Sequence, residues 1–273
     1  MRLATVNVNG VRAAFRRGMG DWLEARAPDI LTLQEVRAGD DDLRSLIGDG
    51  WHVVHDEASA KGRSGVAVLS RTEPTGQRTA LAVPGDDTSG RWVEADIAVG
   101  GRTLTVVSAY AHSGEADTPK QEQKYRFLDA MTTRLGELGA NGGLAVVTGD
   151  LNVGHRTLDI KNWKGNLKKA GFLPEERSKF DSWLGAEGDP AYNAGAGLGW
   201  VDVGRAAVGE VAGPYTWWSW RGKAFDLDSG WRIDYHLASP ALAPTVISYA
   251  VDRAPTYAER WSDHAPVVVE YAL

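Results

Sequence analysis

Short apolar runs rich in β-branched residues recur along the chain, and most of them end in a polar residue. Such runs are typical of strands buried on both faces of a sheet. The strands predicted in this way are Leu3–Val8, Ile30–Leu33, Trp51–Val54, Val66–Leu69, Leu104–Tyr110, Leu144–Thr148, Arg232–Leu237 and Pro266–Tyr271. Apolar and other residues alternate from Val93 to Val99, which predicts a half-exposed strand nearer a sheet edge. The stretch Ala4–Gly10 weakly echoes Val146–Asn152, which suggests two similar halves.

Two helices are predicted from apolar residues that recur at a spacing of three to four. Thr118 and Pro119 supply the cap and the first turn of the clearer helix, which ends at Gly139. The other helix covers Val11–Ala27 and stops at Pro28. Because strands and helices are interleaved and strands are the more numerous, the pattern favours packed sheets covered outside by helices.

The composition narrows the class of protein. The chain has 273 residues, 43% of them hydrophobic and 24% charged, and no apolar run approaches the ~20 residues that span a bilayer. We therefore expect a single domain over residues 1–273, with no membrane segment. The first residues show no secretory signal, so a cytoplasmic, nucleoid-associated location is expected. The chain has no cysteine, which leaves only oxygen and imidazole ligands for a metal.

The net charge of −6 argues against a nucleic-acid partner, but the distribution of charge matters more than the total. Between His155 and Lys179 there are seven lysine and arginine residues against three acids. This stretch either faces phosphates or is a solvated surface of a loop and a helix.

Polar residues collect at the ends of the apolar runs, where a buried carboxylate needs a partner or a metal. Any one of them alone is better explained as a turn or cap residue. As a set they provide four acids, three amides, a tyrosine and a histidine: Glu35, Asp150, Asp234, Asp263, Asn7, Asn9, Asn152, Tyr110 and His264. Magnesium suits these oxygen donors better than zinc does. The histidines show no HExxH spacing, which argues against a zinc hydrolase.

Five segments that contain these residues resemble, in order, the motifs of the exonuclease III family of apurinic/apyrimidinic endonucleases. They are Asn7–Arg12, Pro28–Glu35, Gly149–Asn152, Gly230–Tyr235 and Ser262–Pro266, and further likeness covers nearly the whole chain. The resemblance implies an α/β fold of four layers, the deoxyribonuclease I-like sandwich. It also implies a metal-dependent DNA phosphodiesterase of base-excision repair that cuts 5′ to abasic sites and removes 3′ blocking groups or nucleotides. The implied partner is damaged double-stranded DNA, and the implied state is a monomer.

The resemblance further implies roles for the polar set. Glu35 would hold Mg²⁺, or Mn²⁺ as a substitute, with Asn7, Asn9 and Asp263 close to it. Asp150 would orient or deprotonate the attacking water, and Asn152 would bind the developing charge. Tyr110 and His264 would contact the scissile phosphate, and Asp234 would fix and charge His264. A divalent ion and preplaced donors suit a reaction that adds negative charge to a phosphate.

The resemblance also extends to the DNA-facing aromatic residues. Trp217, Trp231 and Ile233 match a small apolar pocket for a flipped-out abasic sugar, which selects by size, and Arg221 and Lys124 are expected at the DNA. If Trp231–Leu237 were a regular strand, Ile233 and Asp234 would face opposite ways, so this strand must begin irregularly. Trp218 and Trp220 are expected in the core.

Two positions depart from the family pattern. Ser113 stands three residues past Tyr110, where the family commonly has Gln or Asn near the DNA, and this shorter side chain puts one DNA contact in doubt. Val6 stands before Asn7 where Trp is common, which we interpret as a core substitution.

Other functions are compatible with parts of this residue set. Sphingomyelinases and inositol-polyphosphate phosphatases of the same fold have a similar acidic and amide set, but the segment from Trp217 to Trp231 and the lack of a membrane-facing apolar patch disfavour them. A DNA-binding module with a decayed active site is a further alternative. The presence of all the expected acids argues against it.

Overall fold

The computed structural model describes residues 1–184 and 197–273. Its strands are β1 (Arg2–Asn7), β2 (Ile30–Gln34), β3 (His52–Asp56), β4 (Val66–Ser70), β5 (Gly76–Thr79), β6 (Trp92–Val99), β7 (Arg102–Tyr110), β8 (Leu144–Asp150), β9 (Val201–Asp202), β10 (Asp234–Ala238), β11 (Val246–Val251) and β12 (Val267–Tyr271). They form two six-stranded sheets, with orders β11-β12-β1-β2-β4-β3 and β5-β6-β7-β8-β10-β9.

Helices cover the outer faces of both sheets. The first sheet packs against α1 (Val11–Arg16), α2 (Met19–Arg26) and α3 (Asp40–Ile47) through one apolar cluster. The second packs against α4 (Pro119–Gly139) and α5 (Pro174–Trp183) through another. A short helix, α6 (Val203–Val208), lies beside β10 and β11. The architecture is therefore helix, sheet, sheet, helix, and the predicted four-layer α/β sandwich is confirmed.

The layer between the sheets changes character along the strands. At one end it is apolar, with Leu3 and Val68 of the first sheet packed in one cluster with Val106 and Val146 of the second. Because side chains alternate along a strand, the residues that follow on the same faces also point between the sheets. Nearer the other end these residues are polar, as in the Thr32 Oγ1 to Thr148 Oγ1 contact of 2.7 Å. The polar layer leads directly to the functional residues.

The two sheets share one pairing pattern. In each, a central parallel pair, β1 with β2 and β7 with β8, is flanked by antiparallel strands. Asn7 ends one central strand and Asp150 ends its counterpart. The similarity of the two halves therefore extends from the sequence echo to the topology of the sheets.

Several local expectations need correction. The helix predicted over Val11–Ala27 is broken into α1 and α2 at Gly18, whose φ of 109° leaves the helical region. The strand predicted over Val93–Val99 lies one strand from the edge, but it is buried along most of its length rather than half exposed. Its polar residue Glu94 is covered because Arg134 of α4 binds its carboxylate at 2.7 Å. Within the described part of the chain, no helix is long and apolar enough to cross a membrane.

Candidate active site at the ends of the central strands

Residues from both sheets meet where the central strands end. Asn7, the last residue of β1, donates from Nδ2 to Glu35 Oε1 at 3.0 Å and to Asp150 Oδ2 at 2.9 Å. The Tyr110 hydroxyl, at the end of β7, also donates to Glu35 Oε1, at 2.8 Å. The amide of Asn7 therefore connects Glu35, which follows β2 of the first sheet, with Asp150 of the second sheet. The phenol of Tyr110, also on the second sheet, holds the same Glu35 carboxylate.

Three polar residues beyond the strand ends have left-handed backbones. The φ angle is 46° at Asn9, 49° at Glu35 and 51° at Asn152. Residues with side chains seldom adopt this region, so the surrounding contacts must hold it. The Gly10 N–H donates to the Glu35 carbonyl at 2.8 Å, and the Asn152 N–H donates to Asp150 Oδ1 at 2.9 Å. These sharp turns direct the side chains back over the strand ends.

Asp150 lies at the floor of the site and is 2% exposed. Burial raises the pKa of its carboxyl to about 7, although the charge of His264 and the amide of Asn7 act in the opposite direction. His264 Nε2 lies 3.8 Å from Asp150 Oδ2. Such a carboxylate is more basic than an exposed one, which is a requirement for a group that accepts a proton near neutral pH.

His264 is bound to a second buried carboxylate. Its Nδ1 atom lies 2.8 Å from Asp234 Oδ2, which also accepts the Thr216 hydroxyl at 2.6 Å. Burial by itself would lower the pKa of His264, but the charges of Asp234 and Asp150 outweigh it and raise this pKa to about 10. The two carboxylates therefore favour the protonated, cationic form of the imidazole. β10 begins only at Asp234, so the irregular start predicted for this strand is present.

Asp263 faces Asn9 across the mouth of the site. Its Oδ1 atom accepts Asn9 Nδ2 at 2.8 Å, and its Oδ2 atom accepts Trp217 Nε1 at 3.2 Å. Among the described residues, no group of three or more acidic or histidine side chains is placed to hold a metal ion by itself. The oxygen donors of Glu35, Asp263, Asn7 and Asn9 fit Mg²⁺. This ion usually binds one or two protein carboxylates, and water or substrate oxygens fill its remaining coordination positions.

These side chains line a cleft of about 400 Å³. Its walls are formed by Asn9, Glu35, Arg37, Tyr110, Ser113, Gly114, Asp150, Asn152, Ala170, Gly171, Trp217, Trp231, Ile233, Asp263 and His264. The rings of Trp217 and Trp231 meet edge to face, with centroids 6.1 Å apart. A Cβ atom at Gly171 would lie 2.9 Å from the Trp231 ring, so glycine is needed for this close approach. An apolar wall thus adjoins the polar floor.

Three expectations about single residues are changed by the structure. Lys124 is fully buried and ion-paired to Glu176 at 2.6 Å, so the expectation that it contacts DNA is wrong. Arg221 is exposed on the loop after Trp220 and is not among the residues that line the cleft. Trp218 is buried as expected, whereas Trp220 is 36% exposed, under the guanidinium of Arg260. Trp220 is therefore not a core residue.

Three residues that were not predicted from the sequence support the site. Arg37 lines the cleft and donates to Glu35. Arg91 stacks on the ring of Tyr110, with its guanidinium carbon 4.9 Å from the centroid. Thr216 binds Asp234. Arg37 follows Glu35 by two residues and Thr216 precedes Trp217, but no sequence pattern distinguishes them from ordinary polar neighbours.

The basic segment between His155 and Lys179 divides into two parts. Lys161, Lys164, Lys168 and Lys169 are exposed, just before the cleft residues Ala170 and Gly171. Lys179, in contrast, is ion-paired to Asp129 on α4. Exposed positive charge therefore directly precedes one lip of the cleft in the chain, at Lys168 and Lys169, and an anionic partner could bind it.

With this geometry in place, comparison with known proteins identifies the family. Residues 4–264 match the endonuclease/exonuclease/phosphatase family. The chain belongs to this family. It is 31% identical to an exodeoxyribonuclease of Bacillus subtilis over 268 residues, which cover 98% of both chains.

Solved structures agree with this assignment. A 3′ phosphatase from Neisseria bound to a product DNA hairpin has a TM-score of 0.86 and 30% identity, with full coverage of both chains. An AP endonuclease from Archaeoglobus fulgidus has a TM-score of 0.84 and 29% identity, again with full coverage. The chain is an exonuclease III-like nuclease of DNA repair, and this family depends on a divalent metal.

Proposed function

We propose that this nuclease uses Mg²⁺ to hydrolyse the DNA backbone 5′ to abasic sites and to remove blocking groups or nucleotides from 3′ ends. The observation that carries the proposal is the convergence of Asp150, Glu35 and His264 on one cleft floor beside the wall of Trp217 and Trp231. The polar floor suits phosphodiester hydrolysis, and the aromatic wall suits a deoxyribose without a base. Mn²⁺ is an alternative ion of the same ligand preference.

In the proposed reaction, Asp150 accepts a proton from the attacking water. Its raised pKa supports this role. The amide of Asn152 and the phenol of Tyr110 donate to phosphate oxygens as negative charge grows, and the His264 cation adds its charge, held in place by Asp234. A divalent ion bound by Glu35 and Asp263, with Asn7 and Asn9 close by, would neutralise part of the phosphate charge.

Selection of abasic sites is proposed to occur at the aromatic wall. Extrusion of a nucleotide costs less when it has no base, and a small pocket excludes one that has a base. Trp217, Trp231 and Ile233 form the apolar side of the cleft. Ile233 directly precedes Asp234 in the chain, and the ring centroid of Trp217 lies 6.5 Å from that of His264. The exposed lysines from Lys161 to Lys169 are proposed to bind backbone phosphates of the flanking duplex.

The Neisseria structure was determined with product DNA, and the full coverage of that chain supports a DNA substrate for this one. We further propose that residues 1–273 form one domain that acts as a monomer. The apolar cluster shared by the two sheets supports a single unit.

One incubation tests the proposed activity. The protein is added to a duplex with a single tetrahydrofuran abasic analogue, and to the same duplex undamaged, each with Mg²⁺ or with EDTA. We expect one cut on the 5′ side of the analogue, dependent on Mg²⁺, and slower shortening of 3′ ends. Equal cleavage of both duplexes would contradict selection of abasic sites, and cleavage in EDTA would contradict metal dependence.

A further inference from the structure

A fully buried ion pair lies behind the cleft floor. Lys124 of α4 and Glu176 of α5 each have a side chain that is 0% exposed, and Nζ lies 2.6 Å from Oε1. Burial of two charges costs desolvation free energy unless further hydrogen bonds satisfy both groups. The other hydrogen bonds of Lys124 and Glu176 therefore indicate the role of the pair.

Those contacts join three cleft-lining loops. Lys124 Nζ donates to the Asn152 carbonyl at 2.8 Å and to the Ser113 carbonyl at 3.3 Å. Glu176 Oε2 accepts the Leu173 N–H at 2.9 Å, directly after the loop that contains Gly171. Ser113, Asn152 and Gly171 all line the cleft. The ion pair therefore fixes the spacing of the loops around it.

Asn152 depends on this arrangement most directly. Its left-handed backbone, with φ of 51°, is held at the N–H by Asp150 Oδ1 at 2.9 Å and at the carbonyl by Lys124. The peptide groups on both sides of Asn152 are thus fixed, and they set the direction of its amide. That amide donates to the Ala111 carbonyl at 3.0 Å.

We infer that Lys124, held by Glu176, is a positioning residue that orients the amide of Asn152 toward the scissile phosphate. The inference rests on the proposed function for the role of Asn152. It also gives a role to Lys124, whose charge is buried and cannot contact DNA directly. Displacement of a reacting group by about 1 Å can lower a rate by about 100-fold.

The decisive variant is Lys124→Met/Glu176→Gln, which removes both charges together and leaves no unpaired buried ion. The amide oxygen that replaces the carboxylate of Glu176 can still accept from the Leu173 N–H. We expect kcat on the abasic duplex to fall about 10- to 100-fold, while KM changes by less than about threefold. The Asn152 side-chain amide resonance should shift in the ¹H–¹⁵N spectrum, which reports orientation without any assay of activity.

Arg134→Met is the matched control, because Arg134 also lies on α4 and binds a buried glutamate, Glu94, away from the cleft. It should lower the melting temperature and leave kcat unchanged. If the double variant keeps full kcat and an unshifted Asn152 resonance, the inference is wrong. If the wild type fails to cut the abasic duplex, the proposed function is wrong, and the resonance still tests the effect of Lys124 on Asn152.

Discussion

His264 and Asp234 form a closed pair beneath the cleft. His264 Nδ1 lies 2.8 Å from Asp234 Oδ2, and the Thr216 hydroxyl fixes that oxygen from the other side at 2.6 Å. Both side chains are at most 5% exposed, so neither charge is screened by water. The carboxylate therefore both orients the imidazole and favours its protonated form.

The first prediction concerns this pair. His264→Asn and Asp234→Asn should each lower kcat by about 100-fold, because each removes the same oriented cation. The double variant should be within about tenfold of the slower single variant, since residues that act as a unit are not additive. Single-turnover rates on the abasic duplex provide the measurement. Losses that multiply would show separate roles.

Asp150 is tested by a change that keeps its shape. Asp150→Asn should lower turnover by at least about 100-fold, because the amide cannot accept the proton of the attacking water. DNA affinity, measured by fluorescence anisotropy, should stay the same. Asp129→Asn, which changes an exposed carboxylate on α4, is the control and should keep full activity. If Asp150→Asn retains a tenth of the wild-type rate, another group is the base.

Glu35 is tested by a magnesium titration. Glu35→Gln should raise the Mg²⁺ concentration at half-maximal rate, since a neutral amide holds a hard dication poorly, and excess Mg²⁺ should partly restore activity. Glu270→Gln, at a half-buried ion pair with Arg2 outside the cleft, should leave the titration unchanged. An unaltered curve for Glu35→Gln would show that Glu35 does not bind the ion.

Trp231→Ala separates a pocket wall from an ordinary core residue. Loss of an aromatic stacking surface worth about 1 to 3 kcal/mol should reduce efficiency on abasic duplex by about five- to two-hundredfold and affect 3′ trimming less. If Trp231 were simply core, the change would cost about 3 to 5 kcal/mol of stability and both activities equally. Melting temperature and the ratio of the two rates distinguish these outcomes. Trp220→Ala, outside the cleft, is the control.

A prediction about stability comes from His236, which is 1% exposed between the sheets. Burial lowers its pKa from 6.5 to about 3, so the unfolded chain takes up a proton at a pH where the folded chain does not. Stability should therefore fall as the pH drops from 6.5 towards about 3, at a slope of up to about 1.4 kcal/mol per pH unit.

His236→Phe should remove this part of the pH dependence. Urea unfolding at about pH 7.5 and about pH 4.5 gives the difference in free energy of unfolding for each protein. The free energy of unfolding of His236→Phe, relative to that of the wild type, should be higher at the lower pH than at the higher pH. His52→Gln, on the exposed end of β3, should behave like the wild type. A constant gap at both pH values would contradict the prediction.

The central strands of both sheets could be predicted from the sequence because local patterns of apolar and polar residues determine them. Ile30–Gln34 and Leu144–Asp150 are mainly apolar runs that end in polar residues, and each forms a central buried strand. The edge strand Val246–Val251 was missed because it does not show a buried pattern, and Ile247 is 64% exposed. Phe15 and Trp22 keep a helical spacing across Gly18, which concealed the break between α1 and α2.

The site was predictable in its residue types but not in its contacts. The polar residues at the strand ends could be recognised from the sequence, and most of them line one cleft in the structure. The role of each residue stays a prediction. The partner of Lys124 could not be found, because Glu176 lies on another helix and only the packing of α4 on α5 brings them together. Trp220 was misassigned because hydrophobicity alone does not reveal which side of a loop faces solvent.

The pairing of β1 with β12 makes the activity of this enzyme depend on contact between distant parts of the chain. Arg2 pairs with Glu270 in that ladder, so the segment with Asn7 and the segment with His264 reach the cleft only when distant parts of the chain have joined. Bringing together strands so far apart in the chain costs loop-closure entropy and slows folding. A molecule in which β1 and β12 have not paired therefore lacks both Asn7 and His264 in the cleft, so cutting of DNA requires that this ladder is closed.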